Sequence, residues 1–291
     1  MFNNLCIIGV GLIGGSVARA ARKRGLAKKI IGFGRENDLQ NLQLAKKLGV
    51  IDAFSLNIAE AIADVDCIMV ATPGGSIESI FNLLKPFWNN NAIYTDVGST
   101  KTNVFAAAER IFGEIPKNLV PAHPIAGAEQ SGVVASVDDL FVDKRLIITP
   151  SSITDPVALQ KIWTFWDTIG TRVVAMDAKR HDAILAATSH LPHIVAFAMV
   201  HLLGHKDEQS EIFKYAAGGF RDFTRIASSD PTMWLDICID NKDEINPLID
   251  ELKDELSRIQ EFLNENNKQQ LFNTFNYAGR ARQRFLNIFE N

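Results

Sequence analysis

The stretch PAHPIAGAEQSG, Pro121 to Gly132, sets a titratable ring between two prolines. Pro121 and Pro124 hold the residues before them in extended conformations, so His123 has few backbone states to lose. Gly127 follows, which allows a tight turn and close approach of a ligand, and Glu129 and Ser131 lie near enough to join a site. An imidazole fixed this firmly, and neutral near working pH, suits general-base chemistry. The alternative is a packed structural histidine.

A second constellation is GVGLIGGS, where Gly9, Gly11 and Gly14 make a G-x-G-x-x-G after an apolar run and before a helical pattern. Such a turn lets a pyrophosphate approach the backbone and face the free N–H groups of a helix N-terminus. The predicted dinucleotide contacts are Gly9, Gly11, Leu12, Ile13 and Gly14 of the turn, Arg35 after the second strand, and Thr72 and Pro73 in ATPGG. About 20 residues beyond the last glycine an NAD site usually offers an acid to the ribose. Gly34 and Arg35 stand there, with Glu36 slightly late. An arginine suits a 2′-phosphate, so the cofactor is NAD or NADP with a slight lean to NADP. The alternative is Arg35 over the adenine, with Glu36 or backbone groups on the ribose.

Arg221 and Arg225 are four residues apart after Gly218-Gly219 and would share a helix face. Arginine forks match carboxylates in two-point geometry; pairing with Asp222 is the plain alternative. In SHLPH, Pro192 interrupts a helical pattern and would present His190 and His193 at a bend. Asp230-Pro231 reads as an N-cap with proline at N1, opening a helix on which Trp234 either walls a pocket or packs in the core. No metal site is expected: His201 and His205 are spaced i, i+4, but no H-E-x-x-H register or cysteine cluster accompanies them. His181, His201 and His205 read as solvated or packed.

The elements that must position these groups follow from the apolar pattern. NLCIIGV, KKIIGFG, DCIMVATP, AIYTDVG, NLVPAHP and RLIITP are near-continuously apolar, as strands covered on both faces are. They alternate with amphipathic stretches such as SVARAARKRG, for which Gly25 is a good C-terminal cap. That alternation predicts an α/β fold, a Rossmann-type doubly wound parallel sheet over residues 1–174. An all-helical domain over residues 175–291 follows, with the boundary near 170–178. Ligands of such sheets collect outside the carboxyl ends of the strands, where ATPGG, DVGSTK and His123 all fall.

Bulk properties exclude little but agree. The chain has 291 residues, 47% hydrophobic and 22% charged, with net charge −4 and no basic arm, so nucleic acid is not expected as a partner. Cys6, Cys67 and Cys238 read as reduced thiols. Neither a leader nor any apolar run of ~18 residues or more is evident, so a cytoplasmic protein without membrane contact is expected.

Together, HPIAGAEQSG, GVGLIGGS, DVGSTK, SHLPH and GGFRDFTRIASSDPTMW resemble the prephenate/arogenate dehydrogenase family of tyrosine biosynthesis, in order and over nearly the whole chain. The resemblance implies NAD(P)-dependent oxidative decarboxylation of a cyclohexadienol, prephenate or arogenate. His123 would be the base, and Ser99 would hydrogen-bond both that ring and the substrate hydroxyl. Arg225 would bind the ring carboxylate, Arg221 would lie near the side chain, His193 rather than His190 would touch substrate, and Glu129 would gate the entrance. A homodimer through the helical domain is also implied, as the long apolar stripes of its helices suggest. Two departures stand out: many relatives carry Thr at Ala128, and Asp at Gly34. The rival readings are a β-hydroxyacid-type NAD(P) dehydrogenase, for which no Gly-rich helix with a lysine is evident, and an NAD(P)-sensing protein without turnover.

Overall fold

A computed structural model describes residues 1–128 and 130–290. Eight strands form one sheet: β1 (Phe2–Ile8), β2 (Ala27–Phe33), β3 (Ala53–Ser55), β4 (Cys67–Val70), β5 (Ile93–Asp96), β6 (Leu119–Pro124), β7 (Arg145–Ile148) and β8 (Arg172–Ala175), in the order β3-β2-β1-β4-β5-β6-β7-β8. The reversal of order at β1 and β4 is the switch point at which α/β sheets open a ligand crevice.

The helices α1 (Leu12–Lys23), α2 (Leu39–Lys47), α3 (Ile58–Ile62), α4 (Ile77–Leu84), α5 (Thr102–Phe112) and α6 (Pro156–Ile169) cover the two faces. The two-residue period of β1 assigns them. Leu5 and Ile7 point into a core with Val17, Ala20 and Ala21 of α1, Leu42 of α2 and Phe165 and Trp166 of α6. Cys6 and Ile8 point the other way, against Ile62 of α3, Phe81 and Leu84 of α4 and Val104 of α5. Burial pushes the Cys6 thiol up to about 12, so it packs as an inert small hydrophobe.

The doubly wound parallel sheet has one antiparallel pairing. β1 to β6 are parallel, but β7 runs antiparallel to β6, and β8 lies parallel to β7. Between β6 and β7 the described chain forms only a 3-10 turn, Val133–Ala135, so no crossover helix carries it back. β3 and β8 escape the apolar pattern: β3 has three half-buried residues, and β8 reads exposed, half-buried, half-buried, exposed.

Beyond the sheet come α7 (Ala178–Leu185), a π-turn (Ala186–His190), α8 (Leu191–Ser210), α9 (Gly218–Thr224), α10 (Pro231–Asp240), α11 (Lys242–Asn264) and α12 (Lys268–Glu290). Compactness divides the chain into Met1–Lys242 and Asp243–Asn291 rather than near residue 174. The reason is that α7 and α10 rest on the carboxyl edge of the sheet. Asp182 accepts hydrogen bonds from the Lys101 and Thr102 amides, both at 2.9 Å. Asp236 accepts from the Gly75 amide at 3.0 Å, and Asp240 from the Asn103 side chain at 2.8 Å.

Local signals in this half act as the sequence suggests. Asp230 caps α10 by accepting from the Met233 amide at 2.8 Å, with Pro231 in the first turn. Pro192 lies within a continuous helical run, and the widened π-turn just before it accommodates the backbone bond that its missing N–H removes. The continuous helical run Ala178–Asp207 is long and apolar enough, by length and composition, to cross a membrane. It corrects the expectation that no apolar run of this length is present; Asp182, His190 and His193, scattered along it, hide the run from view.

Candidate active site

The glycine turn has the geometry a pyrophosphate needs. Gly9 closes β1 with φ +92, in the left-handed region, and a β-carbon there would lie 2.8 Å from the Ala71 carbonyl oxygen. A β-carbon on Gly14 would lie 2.1 Å from the Gly9 carbonyl oxygen, so only glycine lets α1 pack this close. A β-carbon on Gly11 would meet no other atom within 4 Å, so this residue borders open space. From the side, Asn41 donates to the Val10 carbonyl at 2.8 Å and accepts from the Val133 amide at 3.3 Å, pinning the turn. A cavity of about 510 Å³ lies over it, bordered by Gly9, Gly11, Arg35, Asp38, Thr72 and Pro73. Its volume is that of a ligand site, and Leu12 and Ile13 begin α1 directly beneath the turn.

His123 stands on β6, next to β5, and is buried. Its Nδ1 lies 2.8 Å from Nε2 of His181, whose Nδ1 lies 2.7 Å from Oδ1 of Asp182. Asp182 also accepts from the Thr102 hydroxyl. Burial alone would raise the Asp182 carboxyl, but the hydrogen bonds from His181, Thr102 and the Lys101 amide outweigh it and hold the group below its ordinary range. Behind β6, the fully buried Lys101 ammonium pairs with Asp96 and donates to the Ala122 carbonyl at 2.9 Å, tying β5 to the strand that carries His123. Burial first, and then the neighbouring His181, Lys101 and His190, push the His123 ring well below the usual imidazole range, so it is neutral at physiological pH.

This arrangement corrects two expectations. His181 is neither solvated nor simply packed but holds the candidate base. Ser99 is half-buried three residues past β5, and among the described residues it makes no hydrogen bond to His123, whose Nδ1 is taken by His181. The missed residues are His181, Asp182, Lys101 and Asn41. The one available signal is an adjacent His-Asp pair on an otherwise apolar helical face, one turn before Leu185.

The helical residues continue the cluster. His190 is buried, and its Nδ1 accepts from the Asn241 side chain at 3.0 Å. Its ring centroid lies 6.0 Å from Trp234, edge-on. His193 is half-buried and stacks on the same indole at 3.8 Å, with its Nδ1–H donating to the Ser189 carbonyl at 2.8 Å. Trp234 is buried, and its Nε1–H has no acceptor among the described residues. Arg225, in the 3-10 turn after α9, is close enough that its charge helps lower the His193 ring, after burial. The structure thus brings His123, His181, His190, Trp234, His193 and Arg225 into one series of neighbours. Arg221 stands apart on exposed α9, 3.5 Å from Asp222, the plain alternative. Glu129 lies outside the described residues. His201 and His205 form an exposed pair 3.2 Å apart, and no group of three or more metal-ligating side chains occurs among the described residues.

Two buried neutral imidazoles make stability depend on pH. Burial lowers His190 to about 4 and His123 also falls, so the unfolded chain binds more protons than the folded one below pH 6.5. Stability should be fully present above about 6.5 and decline as pH falls toward 4, by about 3 kcal/mol for His190 alone. Urea midpoints measured from pH 7.5 to 4.5 check this, and His190→Gln should flatten the slope.

Comparison with known proteins decides the family. The family model "Prephenate dehydrogenase, nucleotide-binding domain" matches residues 17–175, and "Prephenate dehydrogenase, dimerization domain" matches 177–277. The chain belongs to the prephenate dehydrogenase family. It is an NAD(P)-dependent oxidoreductase of that family. It is 35% identical to the prephenate dehydrogenase of Bacillus subtilis over 96% of this chain and 75% of that one. It is 30% identical to the cyclohexadienyl dehydrogenase of Zymomonas mobilis, over 97% and 96%. The prephenate dehydrogenase of A. aeolicus, solved with hydroxyphenyl propionate and NAD+, superposes with TM-score 0.90 at 35% identity, covering 98% of this chain and 99% of that one. The likeness extends over both the sheet and the helical second half described above.

Proposed function

We propose that this chain oxidatively decarboxylates prephenate or arogenate, giving 4-hydroxyphenylpyruvate or tyrosine. The observation that carries the reading is His123, neutral and buried near the end of β6 in the sheet whose β1 ends in the glycine turn, in series with His193, Trp234 and Arg225. When bound, the nicotinamide supplies the hydride acceptor. His123 draws the proton from the ring hydroxyl, and Ser99 hydrogen-bonds the same oxygen. Arg225 holds the ring carboxylate until it leaves as CO2, and the ring aromatises. His193 and Trp234 wall the ring, Arg221 lies toward the side chain, and Glu129 gates the entrance. The resemblance in sequence supports the roles of His123, Ser99, Arg225, His193, Arg221 and Glu129, and the stacking of Trp234 on His193 supports its place in the wall. Neither rival, the β-hydroxyacid-type enzyme or the sensor without turnover, calls for this set. A matrix of initial rates, prephenate or arogenate against NAD or NADP, tests the reading; no reduced cofactor with either substrate would overturn it.

On the cofactor, Arg35 alone leans toward NADP. Asp38 borders the same cavity, however, with its Oδ2 accepting from the Arg35 amide at 2.8 Å. A β-carbon on Gly34 would lie 2.8 Å from the Asp38 β-carbon, so the acid that relatives often carry at 34 is replaced here by one at 38. A carboxylate there accepts ribose hydroxyls and repels a 2′-phosphate, which favours NAD. We expect kcat/KM to be higher with NAD. Asp38→Asn should raise NADP use about tenfold, one unit charge near a surface being worth about 1–4 kcal/mol, and Arg35→Ala should lower it; initial rates with both cofactors decide.

The division we favour remains a dinucleotide domain to residue 174 and a substrate and dimerisation domain from 175. A homodimer is supported by the exposed apolar side chains of α11 and α12, among them Leu256, Leu263, Phe272, Phe275 and Phe285. A cytoplasmic location fits a biosynthetic dehydrogenase, and the polar groups that α7 and α8 place in the site fit a helix that stays out of the membrane.

A further inference from the structure

Asp182 accepts four hydrogen bonds, from His181, the Lys101 and Thr102 amides and the Thr102 hydroxyl. An ionised carboxylate has no proton to give. His181 must therefore carry its proton on Nδ1 and, when neutral, present a lone pair at Nε2. The 2.8 Å contact then requires His123 to donate from its own Nδ1, which leaves the lone pair of His123 on Nε2. Each step is forced by the one before it. The order of protons is set by a carboxylate two side chains away from the base.

We propose that His181 and Asp182 are positioning residues that fix the His123 tautomer, so that Nε2 is always the basic atom, and that spread the charge of the imidazolium formed in the reaction. This rests on the dehydrogenase reading above. When the substrate hydroxyl proton arrives at Nε2, the Nδ1–H of His123 stays directed at His181, and the new positive charge faces Asp182 through that ring. No bond other than the O–H bond of the substrate breaks in this step, and the proton lost from oxygen is the proton gained by Nε2. The charged and titratable groups around the pair are Asp96 and Lys101 from the β5 end, His181 and Asp182 from α7, and His190 from the π-turn.

The outcome of substitution depends on proton order rather than size. In Asp182→Asn, a carboxamide turned to donate to His181 Nδ1 gives up the acceptor that the same position offers the Lys101 amide, reverses the sequence and places a proton on His123 Nε2. In His181→Gln, the amide can still accept from His123 and donate to Asp182, so the order survives. We expect kcat to fall about 50-fold in Asp182→Asn and less than tenfold in His181→Gln, with substrate KM within about threefold of wild type in both. His181→Leu, which can neither accept nor donate, should resemble Asp182→Asn. Imidazole nitrogen NMR should find His123 Nε2 unprotonated in wild type and in His181→Gln, but protonated in Asp182→Asn. NAD binding and melting temperature are measured for each variant, since a merely structural role would make loss of kcat follow loss of stability. If Asp182→Asn does not fold, the comparison of Gln with Leu at 181 decides. Equal kcat in those two, or an unprotonated Nε2 in Asp182→Asn, overturns the proposal. Failure of wild type to turn over either cyclohexadienol would instead overturn the underlying reading.

Discussion

Replacing His123 by Asn should lower kcat by about 10² to 10⁴-fold while leaving the KM for substrate and the Kd for NAD within a few-fold. Asn keeps a polar group of similar reach but has no basic lone pair, so the loss falls on the step in which the hydroxyl proton leaves. The burial of the ring matters to the argument. A neutral imidazole here needs no deprotonation before use, so the acid limb of kcat/KM should lie below pH 6.5 in wild type. The two carboxylates of a bound substrate would raise the ring again, bringing it closer to the proton affinity the step demands. Steady-state rates between pH 5 and 9, for wild type and His123→Asn, check both parts. Near-normal turnover in the variant would remove the base from the scheme.

The second large effect belongs to Arg225→Ala, which should raise substrate KM about 100-fold with kcat changed far less. Removing one partner of a hydrogen-bonded charge pair costs on the order of 2–5 kcal/mol, and about 3 kcal/mol corresponds to that factor. The guanidinium already acts electrostatically on His193, so its loss should also let that ring rise, a secondary effect visible in the pH profile. Arg225→Lys should recover only part of the affinity, because an ammonium cannot offer the two parallel donors of the fork. Arg221→Ala, at an exposed position beside Asp222, should cost much less. Equal KM effects at 221 and 225 would mean that the carboxylate is held elsewhere.

Much of this was legible from residue order alone, for a physical reason. The glycine turn, the strand ends at Thr72 and Ser99 and the position of His123 are local matters: each depends on a few consecutive residues and on the fact that apolar runs become buried strands. The partners of His123 are not local. His181 and Asp182 lie 58 and 59 residues further on, and a His-Asp dipeptide near the start of a helix carries no mark of where its side chains will point. Only the packing of α7 against the start of α5 brings the pair to β6. The antiparallel β7 was hidden for a related cause. An apolar strand reads the same in either direction, and its sense is set by a connection with little regular structure. Asp38 was overlooked because the acid is sought at the strand end, whereas this carboxylate reaches the cavity from one helical turn further along.

The grip of α10 on the sheet reaches further than architecture. Through Asp236 this helix holds the amide of Gly75, two residues past the Pro73 that borders the cofactor cavity, while through Trp234 it backs His193. One rigid rod therefore leans on both ligands' surroundings. Whatever factor the first molecule to arrive imposes on the affinity for the second must be returned in equal measure, whichever comes first.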